Sequence, residues 1–364
     1  MTILSRRRLL WAGMLGSVGI LGGRLANRAF KSHQDLMAQA AGHDDRPAAL
    51  AIDSHCHIPQ AMHSCFAKVM EQQGVRLAIS HGYWKGIDQD VATITDIRRH
   101  YPDRFAAFYA PTWDSSDPGY MKTSGLVTVT DTYLAETLPH DLERFMAAGG
   151  ANALGLKLWR DVGARLRDTD GRVLRLTDPR LEPVLDRVRS LGGVVSVHAC
   201  GKCHADRDAL IGRHANLKFV LCHWGSEPHN LGTLRSILER HENVLVDTSP
   251  AAGWPTSKGY SQKDVHDFYQ DFQDRLALGT DFVELGRQDC PRSGPDFWPN
   301  WYRKFWRYHQ TWDEDFSSPS IPPKQWTGVG LGPEILRKVY WQNAYEFFGL
   351  ARLIPDLGIA TSNG

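Results

Sequence analysis

Ile52-Asp53-Ser54-His55-Cys56-His57 is the stretch that decides how the rest of the chain is interpreted. It is a short apolar run that ends in two histidines, one residue apart. Alternate side chains of a β-strand point the same way, so His55 and His57 are predicted to share a face. Two imidazoles on one face at the end of a buried strand form half of a metal site. The alternative is a polar strand end with incidental histidines.

Downstream of this stretch, short apolar runs alternate with longer segments of helical period. The apolar runs cover residues 50–57, 76–80, 105–110, 153–159, 193–199, 217–223, 243–248 and 276–281. The helical segments include residues 62–74, 88–101, 138–148, 179–191, 231–240 and 261–274. Runs that are apolar throughout predict strands covered on both faces, as in a parallel sheet.

Eight strand–helix units in roughly 300 residues predict an α/β protein folded as a (β/α)8 TIM barrel. An open, doubly wound sheet is the alternative. It usually carries a glycine-rich phosphate turn after its first strand, where this chain has His55-Cys56-His57 instead. We assign residues 46–352 to the barrel and residues 353–364 to a C-terminal tail.

Two segments exceed ordinary loop length, residues 111–139 after the third strand and residues 284–331 after the eighth. The second is rich in Trp, Tyr and Phe between residues 297 and 326. Long loops of this kind are predicted to be lids or subunit contacts, and the second interpretation implies a homo-oligomer. Residues 333–350 predict a final helix that packs on the barrel.

The first 45 residues are predicted to be an export segment. Ser5-Arg6-Arg7-Arg8-Leu9-Leu10 fits the twin-arginine signal pattern, and an apolar stretch with several glycines follows it. This stretch is too short for a comfortable membrane span, so we expect periplasmic location with membrane contact through the signal alone. An uncleaved N-terminal anchor is the alternative.

Charge and composition narrow the class of protein. The 42 Lys and Arg against 41 Asp and Glu give no argument for a nucleic-acid partner. The 16 histidines favour metal or acid/base chemistry, and the 12 tryptophans favour a surface for apolar or aromatic ligands. The expected partner is therefore a small-molecule substrate.

Polar side chains mark the C-terminal ends of five predicted strands. They are His55, His57, Lys157, His198, His223 and Asp281. The active site of a (β/α)8 barrel lies at this end of the strands, so we expect these side chains to converge. Three or four nitrogen and oxygen ligands with a vacant position are what a catalytic Zn²⁺-like ion needs.

This set, together with Asp247-Thr248-Ser249 and the closing Asn343-Ala344-Tyr345-Glu346-Phe347-Phe348-Gly349-Leu350, resembles the amidohydrolase superfamily. The nearest branch is the amidohydrolase-related (amidohydrolase 2) group. That group holds lactonase-like hydrolases and decarboxylases of the aminocarboxymuconate-semialdehyde type. The resemblance covers residues 50 to 350.

The resemblance implies that His55, His57 and His198 bind a divalent metal ion, expected to be Zn²⁺. Asp281 would bind the ion or accept a proton from its water, and His223 would hydrogen-bond that water or the substrate. The implied reaction is attack of metal-bound hydroxide on an ester, lactone or amide carbonyl. The alternative is non-oxidative decarboxylation of a small unsaturated or aromatic acid. For His198 and His223, a structural role in the core is also open.

Two basic residues of the fourth strand allow more than one interpretation. In some superfamily members a strand-four lysine is carboxylated and bridges two metals, so Lys157 is predicted to bridge metals or to contact substrate. The neighbouring Arg160 could hold a substrate carboxylate bidentately, or form a surface salt bridge.

Cys200-Gly201-Lys202-Cys203-His204 departs from the family and matches the C-x-x-C-H haem-attachment pattern. Haem is disfavoured because it is attached to an unfolded chain, whereas a twin-arginine substrate crosses the membrane folded. The other interpretations are a Cys200–Cys203 redox pair or disulfide, an extra metal ligand, and plain loop thiols. Cys56 and Cys222 are predicted to be buried thiols.

Overall fold

The computed structural model describes residues 50–82, 86–112, 127–249, 252–283, 297–317 and 325–356. The predicted export segment and most of the predicted C-terminal tail therefore lie outside the described residues. Among the residues that are described, no helix has the length and apolar character needed to cross a membrane.

Parallel strands form a nearly closed barrel, which confirms the predicted (β/α)8 architecture. The strands are β1 (Ala51–His57), β2 (Val75–Ser80), β3 (Phe105–Tyr109), β4 (Ala153–Leu158), β5 (Val194–Val197), β6 (Lys218–Leu221), β7 (Val244–Asp247), β8 (Leu276–Ala277) and β9 (Phe282–Val283). The last two form the eighth strand of the barrel in two pieces, because β8 pairs with β7 and β9 pairs with β1.

Helices surround the strands in the expected alternation. They are α1 (His63–Gln72), α2 (Ile87–His100), α3 (Leu138–Gly149), α4 (Glu182–Ser190), α5 (His204–Arg213), α6 (Leu231–Arg240), α7 (Trp254–Ser257), α8 (Gln262–Asp271), α9 (Phe297–Gln310), α10 (Pro333–Arg337) and α11 (Asn343–Phe348). The π-helical segment Lys338–Gln342 joins α10 to α11, and another, Tyr133–Thr137, precedes α3. Two small ladders, Val127–Thr128 with Leu166–Arg167 and Phe316–Ser317 with Gln325–Trp326, lie outside the barrel.

Apolar side chains pack in two layers. An inner layer that includes Ile52, Leu77, Phe108 and Leu245 fills the barrel and contacts Trp341 near the chain's end. An outer layer packs between the strands and the surrounding helices. Both faces of each strand are buried, which explains why the strands read as unbroken apolar runs.

The first strand contains a β-bulge that matters for the site. Ala51 and Cys56 both pack in the outer layer, although a regular pleat would put residues of odd separation on opposite faces. Asp53 pairs with Ala78 and Cys56 pairs with Ser80, so β1 carries one extra residue between these pairs. Such a bulge re-aims the side chains beyond it.

The predicted loop over residues 284–331 is wrong in part, because it contains the fourteen-residue helix α9. Trp301, Tyr302, Phe305 and Trp306 are buried, at the helical spacing that covers one face. These rings belong to the core, and the predicted lid or subunit contact of this segment stays a prediction. Of the other predicted loop, over residues 111–139, residues 113–126 lie outside the described ranges.

Candidate active site

Three ligand atoms converge at the C-terminal end of β1, and we call them the donor cluster: His55 Nε2, His57 Nε2 and Asp281 Oδ1. The two nitrogens are 3.3 Å apart. The oxygen lies 3.4 Å from His55 Nε2 and 3.2 Å from His57 Nε2. Two ligands at about 2.0–2.1 Å from a tetrahedral ion are separated by about 3.3 Å. The donor cluster therefore fits one divalent cation, as the His-x-His stretch predicted.

The electrostatics of the donor cluster also suit a cation. Burial, followed by the charge of Lys157, holds the pKa of His55 well below its usual range, so this imidazole is neutral. Burial alone would raise the pKa of Asp281, but His223, His57 and His55 hold it below its usual range, so this carboxylate is ionised. Within the described residues, Asp281 Oδ1 is buried without a hydrogen-bond donor. The neutral ring of His55 beside the ionised oxygen of Asp281 suits a bound positive charge.

His223 lies beside the donor cluster, with its ring centroid 4.8 Å from that of His55. It begins the 223–226 turn, in which His223, Trp224, Gly225 and Ser226 all have positive φ, between 56° and 66°. The backbone N–H of His223 donates to Asp247 at 3.0 Å, which helps to hold this unusual conformation. Burial lowers the pKa of His223 against the opposing charges of Asp281 and Asp247. The ring is thus available as a proton acceptor.

His198 does not join the donor cluster in this structure. Its Nδ1 lies 3.2 Å from His223 Nε2, and its ring packs 4.7 Å from that of Trp159. Among the described residues, no group of three metal-binding side chains includes His198. Its assignment as a ligand stays a prediction.

A second polar cluster lies behind the ring of His55. His81 stacks on His55 with centroids 3.8 Å apart, and Ser196 Oγ lies 2.9 Å from His81 Nδ1. Lys157 Nζ donates to Cys222 Sγ at 2.7 Å and lies 3.3 Å from His81 Nδ1. The amine of Lys157 is thus hydrogen-bonded away from the donor cluster, and its predicted bridging role stays a prediction.

Two residues that contact His55 were not among the predicted site residues. Asp247 ends β7 with Oδ2 2.8 Å from His55 Nδ1, and His81 directly follows β2. The signal was available, because both obey the same rule of a polar residue at the C-terminal end of a strand. The predicted second run stopped at residue 80, one position short of His81.

Arg160 lies near the site but outside its buried part. It is exposed, and its guanidinium lies 5.8 Å from the centroid of the half-buried Trp159 ring. Trp159 in turn packs edge-on against His198 and, at 6.2 Å, against His57. No acidic side chain among the described residues forms an ion pair with Arg160. Within the described residues, Arg160 therefore does not form the surface salt bridge that was the other interpretation.

The cysteines separate into bonded and free groups. Cys200 and Cys203 form a disulfide in the loop before α5, which is one of the predicted interpretations. Sulfurs joined to each other cannot also form thioethers to haem. Cys56 and Cys222 are free and buried, as predicted. Cys65 is also disulfide-bonded.

Comparisons with known proteins agree with this architecture. A family model described as amidohydrolase matches residues 52–350. No curated protein matches the chain. An amidohydrolase structure from Burkholderia multivorans with bound Zn has a TM-score of 0.52 at 15% identity, covering 83% of this chain and 99% of that one. A second structure described in the same way, with bound HEPES, has a TM-score of 0.50 at 14% identity with the same coverage.

A dihydroxybenzoic acid decarboxylase from Polaromonas sp. JS666, with bound manganese and 2-nitroresorcinol, is also similar. Its TM-score is 0.48 at 14% identity, over 84% of this chain and 98% of that one. At such identities the solved structures bear on the fold alone. The match of the family model over most of the chain decides the assignment, and the chain belongs to the amidohydrolase (amidohydrolase 2) family.

Proposed function

We propose that the chain is a metal-dependent hydrolase of a small organic ester, lactone or amide. The observation that carries the proposal is the donor cluster, whose three atoms lie 3.2–3.4 Å apart beside the neutral ring of His223. His55, His57 and Asp281 would hold a divalent ion, with His198 as the further ligand and Zn²⁺ as the expected metal. When bound, such an ion polarises a carbonyl and acidifies water.

The side chains around the donor cluster supply the proton chemistry. His223 is neutral, so its Nε2 can accept a proton from the attacking water as a general base. The ionised Asp281 lies close enough to stabilise the resulting imidazolium, and it opposes the lowering of the pKa of His223 by burial. Burial of these groups strengthens each of these electrostatic effects.

The test combines metal analysis with a substrate panel. The purified chain should contain one equivalent of a divalent metal and should hydrolyse at least one member of a panel of lactones, aryl esters and amides. Removal of the metal with a chelator should abolish turnover, and Zn²⁺ or Mn²⁺ should restore it. A chain that binds no divalent metal would contradict the proposal.

A second candidate function, decarboxylation of a planar acid, is supported by Trp159 and Arg160. A guanidinium over an indole, with no acidic partner among the described residues, suits a carboxylate on a flat molecule. The indole edge contacts His57 and His198, so a substrate on this platform would lie beside the donor cluster.

Arg160→Gln separates the two candidates. If the substrate is a carboxylic acid, this variant should raise KM by at least tenfold for acids and leave neutral esters unaffected. Arg172→Gln is the matched control, because Arg172 is exposed and pairs with Asp170. Carbon dioxide release from a panel of aromatic and unsaturated acids then identifies a carboxy-lyase directly.

We also propose that the protein is exported to the periplasm through the twin-arginine segment, whose residues lie outside the described ranges. The support is the Arg6-Arg7 pair before an apolar stretch. Replacing both arginines by lysine should retain the full-length protein in the cytoplasm. Periplasmic recovery of that variant would contradict the proposal.

A further inference from the structure

Asp247, at the end of β7, is a buried side chain that contacts two histidines of the site, the ring of His55 and the backbone N–H of His223. Its Oδ2 lies 2.8 Å from His55 Nδ1. Its Oδ1 accepts from the backbone N–H groups of His223 and Ser249, at 3.0 and 3.1 Å, and from the Ser249 hydroxyl. Asp247 and Ser249 are fully buried, so water does not compete for these hydrogen bonds.

The contact with His55 fixes which ring nitrogen carries the proton. Asp247 Oδ1 already accepts from two backbone N–H groups, and its Oδ2 likewise accepts from His55, with Nδ1 as the donor. In a neutral imidazole the other nitrogen then carries a lone pair. That nitrogen, Nε2, is the atom that belongs to the donor cluster. A carboxylate behind a ligating histidine orients the ring and makes it more basic.

The hydrogen bonds of Ser249 assign the tautomer of His223 in the same way. Its hydroxyl has one proton, and the contact with Asp247 uses it. Ser249 Oγ also lies 2.9 Å from His223 Nδ1, so it must accept a hydrogen bond from that nitrogen. His223 is therefore protonated at Nδ1 and unprotonated at Nε2. His198 Nδ1, 3.2 Å from His223 Nε2, must then be the donor, which leaves His198 Nε2 free for a metal.

We infer that Asp247 and Ser249 are positioning residues that set the tautomers of the active-site histidines. Asp247 holds His55 with its Nε2 lone pair in the donor cluster. Ser249, itself hydrogen-bonded to Asp247, holds His223 with its lone pair on Nε2, where it accepts from His198 Nδ1. The inference deepens the proposed function and rests on it for the chemistry at His223. The assignment of protons follows from the hydrogen bonds of the two neutral imidazoles and does not depend on a bound metal.

Two readouts on the full-length chain test the inference. Zn²⁺ affinity is measured by competition with a chromogenic chelator, and histidine tautomers are assigned from ¹⁵N ring shifts. Asp247→Asn should weaken Zn²⁺ binding by about 10- to 100-fold. Ser249→Ala should keep one equivalent of Zn²⁺ but convert His223 from a single Nδ1–H tautomer to a mixture. Ser249→Thr, which retains the hydroxyl, should restore the wild-type tautomer.

Thr248→Val is the matched control, because Thr248 is buried next to Ser249 and its hydroxyl donates to the Ala277 carbonyl, away from the histidines. It should alter neither readout. An Nε2–H tautomer of His223 in the wild type, or an unchanged tautomer in Ser249→Ala, would overturn the inference. Tautomers can be read without metal, so a chain that binds no Zn²⁺ would contradict the proposed function and leave this readout interpretable.

Discussion

His223 and Asp281, the two residues predicted to be catalytic, share an uncommon backbone conformation. Within the described ranges, positive φ occurs at five non-glycine residues: His223, Trp224, Ser226, Asp281 and Asp315. Such conformations cost of order 1–3 kcal/mol each and cluster at functional sites. Four of the five lie in the 223–226 turn or in the donor cluster. Backbone strain and side-chain geometry therefore identify the same candidate site independently.

The sharpest test at this scale is His57→Ala. His57 supplies one of the three atoms of the donor cluster, so its loss should remove the bound metal and the activity. The fold should be kept, because the ring lies at the end of β1 rather than within either apolar layer. Metal content after dialysis and far-ultraviolet circular dichroism measure the two effects.

His100→Ala is the control for that variant, because His100 is exposed and hydrogen-bonds Asp96, far from the donor cluster in sequence. It should retain full metal occupancy. Equal occupancy in His57→Ala and wild type would mean that the donor cluster is not the metal site.

The location of a site residue could be predicted from the sequence where it depends on the residue's position along a strand. His55 and His57 lie in the C-terminal part of β1, and Asp281 lies between the two pieces of the eighth strand. The barrel brings these positions together whatever the details of packing. Which atom contacts which was not predictable. His198 was expected at the donor cluster and instead lies against His223, because the rotamers depend on neighbours such as Trp159 that come from the tertiary structure.

At the scale of elements, the break between β8 and β9 depends on a small residue. A Cβ at Gly279 would lie 3.0 Å from His55 Cβ, 3.2 Å from Asp247 Cβ and 3.3 Å from Ser249 Cβ. Gly279→Ala should therefore push apart the groups that orient the donor cluster. We expect metal affinity to fall by at least tenfold, with a loss of stability of about 1–3 kcal/mol from overpacking.

Gly212→Ala provides the comparison, because Gly212 lies within α5 and its nearest neighbour to an added Cβ is 3.7 Å away. That substitution should leave metal binding unchanged and stabilise the helix slightly. Unaltered zinc affinity in Gly279→Ala would show that the strand break tolerates a methyl group.

The Cys200–Cys203 disulfide closes a very short loop, with a sequence separation of 3. In the chain-entropy model, a loop of this size contributes about 2 kcal/mol. The double variant Cys200→Ser/Cys203→Ser should lose that amount in urea denaturation and keep its metal. Lys202→Ser, an exposed change in the same loop, should be neutral. A larger loss together with loss of metal would assign the disulfide a role in shaping the site.

Two elements show what local sequence could and could not predict. The alternation in Ile52–His57 correctly placed His55 and His57 on one face, but the bulge that aims them into the barrel has no glycine or other local signal. It becomes visible only in the pairing with β2. The aromatic content of residues 297–326 predicted a lid rather than helix α9. The spacing of Trp301, Tyr302, Phe305 and Trp306 nevertheless fits one face of a helix.

At the scale of the whole molecule, buried neutral histidines make stability depend on pH. His309 of α9 is fully buried against Tyr269, whose hydroxyl lies 3.1 Å from its Nε2. Burial lowers the pKa of His309 from 6.5 to about 3. The unfolded chain therefore binds a proton below pH 6.5 that the folded chain excludes. The stabilisation is complete above that pH and is lost as pH falls towards 3.

The free energy of unfolding should accordingly fall by about 1.4 kcal/mol per pH unit through this one group. His309→Gln keeps an acceptor for Tyr269 and cannot titrate, so it should show a shallower slope between pH 6.5 and 4.5. Urea titrations at several pH values measure the slopes. The exposed His140→Gln is the control, and an equal slope in wild type and His309→Gln would refute the assignment.

The 223–226 turn has a consequence for the evolution of this protein. Ser226 is only partly buried and has a φ of 66°, a conformation that glycine or asparagine adopts more readily. A library selected for heat resistance alone should enrich those residues at position 226. Selection for turnover should not, because a more relaxed turn would hold the ring of His223 less firmly. The residue found at position 226 would thus distinguish selection for stability from selection for catalytic activity.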